Sequence, residues 1–238
     1  MRAEYKFILK SSNKNYFLSI YLLLRYFIFK KLNNRKMKGL VLQSNYQKII
    51  KDQLKIEQDW FSHNINSLDF FFKKVDYYKK EISMLEIGSY EGNSSVFFLK
   101  YFSKLKLTCV DTFEGSLEQG DKDFNKIYNN FKLNVSEYKN RLKVIKDTSD
   151  NFFNNYNKEF FDLIYIDGSH YYQDVFNDAK NSFAVLNKGG YLIFDDFLWN
   201  FYSNANENPI GGIKLFFKEN FFKVKIVSIG YQIILKKI

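Results

Sequence analysis

The chain has 238 residues, 46% of them hydrophobic, with 27 Phe and 18 Tyr, enough for one domain with a large core plus an extension. Its single Cys excludes an internal disulfide and fits a reducing compartment, so the expected location is cytoplasmic. The net charge of +10 is uneven: residues 1–55 hold 13 Lys and Arg against two acids, whereas the remainder holds 23 basic and 24 acidic residues. A near-neutral body argues against a nucleic-acid groove across the main domain, and the basic character belongs to an N-terminal extension.

The expected organisation is an extension over residues 1–55 and a catalytic-sized domain over 56–238. Within the extension, "YFLSIYLLLRYFIF" (16–29) is interrupted by Arg25. A spanning helix needs about 20 apolar residues, so this one is too short to cross a bilayer. Lys30 and Lys31 follow where a small-residue cleavage site would stand, which argues against a secretory signal. Two readings fit. One is a helix at the inner face of a membrane, with basic flanks on acidic headgroups, making residues 1–36 a peripheral membrane contact. The other is a helix packed on the domain or on a second copy, which leaves a homo-oligomer open. Met37 is an alternative start, and under it residues 1–36 would carry no information.

From residue 80 the pattern becomes regular. Strands are expected at 82–88, 106–111, 141–147, 161–167 and 190–196. Helices are expected at 93–103, with Asn93 or Ser94 as N-cap, at 171–186, closed by Gly189 in a left-handed cap, and at 211–220. A hairpin around Gly230 closes the chain. Alternating strands and helices with uninterrupted apolar strands predict an α/β fold with a mostly parallel seven-stranded sheet and an antiparallel strand at one edge. In such sheets ligands bind at the carboxyl ends of the strands. Gly88, Asp111, Asp147, Asp167 and Asp195–Asp196 occupy those ends.

Three motifs follow from that placement. "LEIGSYEG" (85–92) puts Gly88 and Gly92 in a strand–helix loop, where glycine lets the backbone approach a ligand closely. The G-x-x-x-G spacing is not that of dinucleotide binders. "VDTFEG" (110–115) ends the second strand in Asp111, a carboxylate suited to ribose hydroxyls; the plainer reading is a turn cap. "DGSH" (167–170) and "FDDF" (194–197) bring Asp167, His170, Asp195 and Asp196 to adjacent strand ends. Clustered carboxylates repel unless a hard cation such as Mg²⁺ sits among them; the plainer reading is an acidic solvated face with His170 as a helix cap.

Together with "FDLIYIDGSHYYQDVFNDA" and "LNKGGYLIFDDF", these motifs resemble a class I S-adenosylmethionine-dependent methyltransferase, and more closely the methyltransferase-domain-24 group, over about residues 57–238. The resemblance implies a Rossmann-like doubly wound fold, with S-adenosylmethionine held by Glu86, Gly88, Ser89, Gly92 and Asp111, and with adenine near Asp147 and Thr148. The Asp-x-x-His and Asp–Asp pairs are similar to those of metal-dependent sugar O-methyltransferases. That similarity implies Mg²⁺ on Asp167, Asp195 and Asp196, His170 as base with Asp167 beside it, and a small-molecule or glycan acceptor. The aromatic run Phe197, Trp199, Phe201 and Tyr202 is suited to stack on a sugar or to serve as a lid; a plain surface loop fits equally well.

The alternatives are a metal-independent methyltransferase for another small molecule, nucleic acid or protein, or a non-catalytic membrane-associated module. The lone Pro209 excludes the Asn/Asp-Pro-Pro-aromatic motif of DNA amino-methylation. Cys109 lies inside a strand and is not a cytosine-C5 nucleophile.

Overall fold

The computed structural model describes residues 3–11, 16–36, 42–75, 77, 80–156 and 160–238; Met37 lies outside them. In chain order the elements are α1 (Ala3–Lys10), α2 (Tyr16–Lys36), α3 (Leu42–Gln53), α4 (Ile65–Val75), β1 (Ile82–Ile87), α5 (Asn93–Tyr101), β2 (Leu105–Asp111), α6 (Phe124–Asn134), β3 (Leu142–Lys146) and α7 (Ser149–Asn155). Then come β4 (Phe161–Ile166), α8 (Tyr172–Val185), β5 (Leu186–Phe194), α9 (Pro209–Glu219), β6 (Val224–Ile229) and β7 (Ile233–Lys237). The strands form a seven-stranded sheet in the order β3-β2-β1-β4-β5-β7-β6. The expected α/β architecture is present. The chain divides into two compact units, Met37–Tyr156 and Met1–Lys36 with Asn157–Ile238. The residues expected as one basic extension therefore divide between the units, α1 and α2 falling in one and α3 in the other.

In the unit Met37–Tyr156, β1, β2 and β3 pair in parallel, with Ile82 opposite Leu105 and Asp111 opposite Lys146. β1 is almost wholly buried, whereas β2 exposes Lys106 between the buried Leu105 and Leu107. β3 instead exposes Lys143, Val144 and Lys146, and charged side chains of this kind discourage pairing with another chain. The sequence places the N-cap of α5 at Asn93 or Ser94, but the structure puts it at Gly92, with φ +80°. The hydroxyls of Ser94 and Ser95 are committed to Glu86, so neither serves as a cap. A Cβ at residue 92 would stand 3.0 Å from the Phe131 ring and 3.2 Å from Val135, so glycine is required by space as well as by conformation. At the other end of α5, Arg141 donates to the carbonyls of Leu99 (3.0 Å) and Phe102 (2.9 Å), which closes the helix.

In the second unit, β4 and β5 are parallel, while β7 runs antiparallel to both β5 and β6. Gly189 has the left-handed conformation expected of it, φ +83°. It does not cap α8, which ends at Val185; it lies within β5, where Leu186 already pairs with Phe161 and the register shifts before Leu163. α8 and α9 approach closely because residue 212 has no side chain: a Cβ there would stand 2.2 Å from the Tyr172 carbonyl oxygen.

α1 and α2 belong to this unit. Ile8, Leu18, Leu22 and Tyr26 are buried, Arg25 Nη2 donates to the Ile226 carbonyl (2.9 Å), and Tyr21 stacks on Phe217. The ammonium of Lys214 on α9 is buried among the carbonyls of Ile8 (2.6 Å) and Ser11 (3.0 Å) and the hydroxyls of Ser11 and Ser19. Burial lowers its pKa to about 7.

Candidate active site

The loop after β1 is built around two carboxylates. Glu86 is fully buried and accepts hydrogen bonds from the hydroxyls of Ser89 (3.0 Å), Ser94 (2.5 Å) and Ser95 and from the thiol of Cys109 (3.1 Å). Burial raises its pKa, against the hydroxyl bonds that favour the charged form. With no exposed surface, Glu86, the first of the expected cofactor residues, accepts all four of these bonds from the protein itself and holds the start of α5 in place. Cys109 is likewise pushed well upward by burial and by Glu86, so it is an inert core thiol.

Asp111, at the end of β2, accepts three backbone N–H groups: Ser89 (2.6 Å) and Tyr90 (2.8 Å) on Oδ2, and Phe113 (2.7 Å) on Oδ1. Gly88 at φ +83° and Tyr90 at φ +47° turn the loop so that its amides face this carboxylate. Of the further expected contacts, Gly88 and Ser89 lie in this turn and Gly92 ends it. Asp147 accepts from the Thr148 amide (2.8 Å) and the Asn151 side chain (2.8 Å), while the Thr148 hydroxyl accepts the Asn151 amide and so caps α7. One group gave no signal in the sequence. The Tyr90 ring lies 5.0 Å from that of Trp60, and Lys122 sits 4.1 Å over Trp60 and donates to the Tyr90 hydroxyl (3.1 Å).

The second cluster belongs to the ends of β4 and β5. Asp167, His170 and Asp196 each offer a ligand atom, and these atoms lie within 4.8 Å of one another. His170 Nε2 is 2.9 Å from Asp196 Oδ2, and the Tyr231 hydroxyl donates to Asp196 Oδ1 (3.0 Å). Burial raises the Asp196 pKa, but the bond and charge of His170, aided by Asp167 and Tyr231, hold it below the ordinary carboxylate value. Asp195 points elsewhere: it is buried, accepts from Gln232, and stands outside the three-residue group. Burial first, then the charge of Asp196, pushes its pKa up to about 8.

The loop after β5 has two parts. Phe197, expected among the aromatics that face a ligand, is fully buried core; Trp199 stacks flat on His170 with ring centres 4.4 Å apart, and Phe201 stacks on Trp199 at 5.5 Å. Buried Asn208 accepts the amides of Phe201 (2.8 Å) and Tyr202 (3.0 Å) and donates to the carbonyls of Tyr202 and Asn204. These bonds tie the loop to itself between residues 201 and 208. Tyr231 and Gln232, from the turn between β6 and β7, complete the cluster without any sequence signal, since their distance along the chain from Asp195 hides the contact.

Residues 85–197 match the family model described as a methyltransferase domain, group 24. This stretch is a class I methyltransferase domain. It contains every residue expected to bind cofactor or metal. The fold agrees. An O-methyltransferase of Bacillus cereus solved with S-adenosylhomocysteine superposes with TM-score 0.56 at 14% identity, covering 91% of this chain and 100% of that one. TomG of Streptomyces achromogenes, an O-methyltransferase of tomaymycin synthesis solved with S-adenosylmethionine, gives 0.55 at 11%, covering 90% and 96%. The MycE methyltransferase of mycinamycin biosynthesis, solved with Mg and S-adenosylhomocysteine, gives 0.54 at 16%, covering 82% and 54%. In sequence, an uncharacterized protein of Acanthamoeba polyphaga mimivirus is 30% identical over 125 residues. The match takes in 50% of this chain and 53% of that one, so the chain spans about half the length of the curated relative it matches.

Proposed function

We propose that the chain is an S-adenosylmethionine-dependent O-methyltransferase acting on a hydroxyl of a sugar or glycan, with a divalent cation at Asp167 and Asp196. The observation that carries this reading is the convergence of Asp167, His170 and Asp196 within 4.8 Å, beneath the ring of Trp199. When bound, S-adenosylmethionine supplies a methyl group on a sulfonium, already a strong electrophile, so the protein's task is alignment and removal of one proton. The amides of Ser89 and Tyr90, clamped by Asp111, set the backbone against which the methionine and ribose parts would lie.

Two half-buried carboxylates in reach of one point, with an imidazole beside them, fit a hard cation. A cation held by Asp167 and Asp196 would supply positive charge that favours loss of a proton from the acceptor hydroxyl. With Asp196 orienting Nε2, His170 takes the hydroxyl proton at its other ring nitrogen. Trp199 and Phe201 offer flat apolar faces of the kind that pack against a sugar ring. Incubation with isotopically labelled S-adenosylmethionine and a glycan panel, with and without EDTA, tests this reading. Labelled methyl ethers that EDTA abolishes support it, and label on nitrogen or carbon overturns it.

A second reading has its own observation. Both oxygens of Asp196 are engaged, by His170 and Tyr231, so the Asp–His pair is complete as an unaided base. Transfer that persists in excess EDTA would favour this metal-independent mechanism.

A further inference from the structure

We propose that the outer face of α2, continued by the Phe221–Phe222 turn after α9, is the surface on which the protein lies on an anionic lipid bilayer. α2 is apolar around most of its circumference between residues 16 and 29. Its inner side is accounted for, with Leu18, Ser19, Leu22 and Tyr26 buried within the unit. Its outer side exposes Tyr16, Phe17, Ile20, Leu24, Phe27 and Ile28. At 3.6 residues per turn these six fall within about a third of the circumference, so they form one stripe rather than scattered surface residues. A helix that is apolar all round needs an apolar partner on both sides.

The stripe extends beyond the helix. Tyr21 borders it and meets the Phe221 ring edge-on at 5.7 Å, and Phe221 meets Phe222 at 5.3 Å. Phe222 is 89% exposed and Phe17 87%, so two aromatic rings project almost wholly into solvent. An exposed apolar patch of this size marks an interaction site.

Charge decides the occupant. Exposed cations stand on α2 (Lys31), at the end of α9 (Lys218), in the turn after it (Lys223) and on β6 (Lys225), with Glu219 as the exposed acid of α9. Apolar side chains set among lysines match a bilayer interface, where the rings enter the acyl boundary and the ammonium groups meet phosphate and carboxylate headgroups. A second copy docked through the same stripe would bring like lysines together, which opposes association. Among the described residues no helix is long and apolar enough to cross a membrane, so the contact lies in the plane of the interface. The surface is built into the folded unit, through Arg25, Tyr21 and Lys214, and is not a detachable arm.

Flotation of the full chain with phosphatidylcholine vesicles, and with vesicles that also contain phosphatidylserine, tests the proposal. The protein should float with the anionic vesicles and stay behind with the neutral ones. Leu24→Ser combined with Phe222→Ser, both at exposed positions, should weaken binding about tenfold or more. Lys218→Gln and Lys223→Gln should each weaken it about fivefold. A Phe17→Trp variant supplies a reading independent of those substitutions, since its fluorescence should shift to the blue on anionic vesicles and be quenched by brominated lipid. No flotation and no shift overturn the proposal, as does binding that the apolar pair leaves unchanged. A dimer in light scattering that the apolar pair dissolves would assign the stripe to a second copy instead.

Discussion

The loop after β1 and the ends of β4 and β5 each hold carboxylates where the sequence placed strand ends, yet they use them oppositely. Glu86 and Asp111 accept hydrogen bonds from the protein's own hydroxyls, thiol and amides, seven in all. Their charge is answered internally, and what results is a rigid backbone turn. Asp167 and Asp196 instead converge with His170 on one point, half-buried, and the buried Asp195 beside them is held near neutrality by burial and by the charge of Asp196. A carboxylate at a strand end is therefore tied to its own backbone or left to converge with other side chains according to which groups face it, and residue type alone does not say which.

If that division is right, damage to one cluster should spare the property that belongs to the other. The largest effect is expected from His170→Ala: kcat should fall by about 10² to 10⁴, the usual worth of a positioned base. Affinity for S-adenosylhomocysteine, measured by calorimetry, should stay within about twofold of wild type. A parallel loss of affinity would mean that the two clusters act as one.

Asp111→Ala should do the reverse. It leaves three amides without their acceptor, and affinity for S-adenosylhomocysteine should drop by about 10²-fold. Asp111→Asn, which keeps one acceptor oxygen, should recover part of it. Undiminished binding in the alanine variant would remove the clamp from the cofactor site.

Gly92→Ala sharpens the scaffold reading. A side chain at φ +80° that meets Phe131 at 3.0 Å should cost about 2 kcal/mol of stability in thermal or urea unfolding. Normal stability would show that α5 can shift to make room.

The smallest effect tests the packing of α1. Lys214 has a folded pKa of about 7, lowered by burial from the ordinary lysine value of 10.5. Between those values the unfolded chain holds the proton and the folded chain releases it, so stability rises with pH across that window, by at most about 1.4 kcal/mol per unit. Lys214→Met should flatten the slope, seen as the difference between urea midpoints of the two proteins from pH 7 to 9. Equal slopes would show that the four acceptors around the ammonium offset its burial.

Local pattern was enough for much of this. The predominantly apolar runs of β1, β4 and the second half of β5 can be read along the chain because parallel strands covered on both faces need no partner's identity to be recognised. The strand-end residues Gly88, Asp111, Asp167, His170 and Asp196 followed from where the strands stop. Sequence also showed that residues 16–29 are apolar and flanked by charge, but not which side of α2 faces inward, since a helix apolar all round has no period to read. The tertiary structure alone decided the rest. It turned Ser94 from a helix cap into a donor to Glu86, separated Asp195 from Asp196 by giving one of them Gln232, and brought Trp199 over His170 and Tyr231 to Asp196. Each of these contacts joins side chains whose pairing depends on how strands and loops pack in space, and packing leaves no mark on the spacing of residues along the chain.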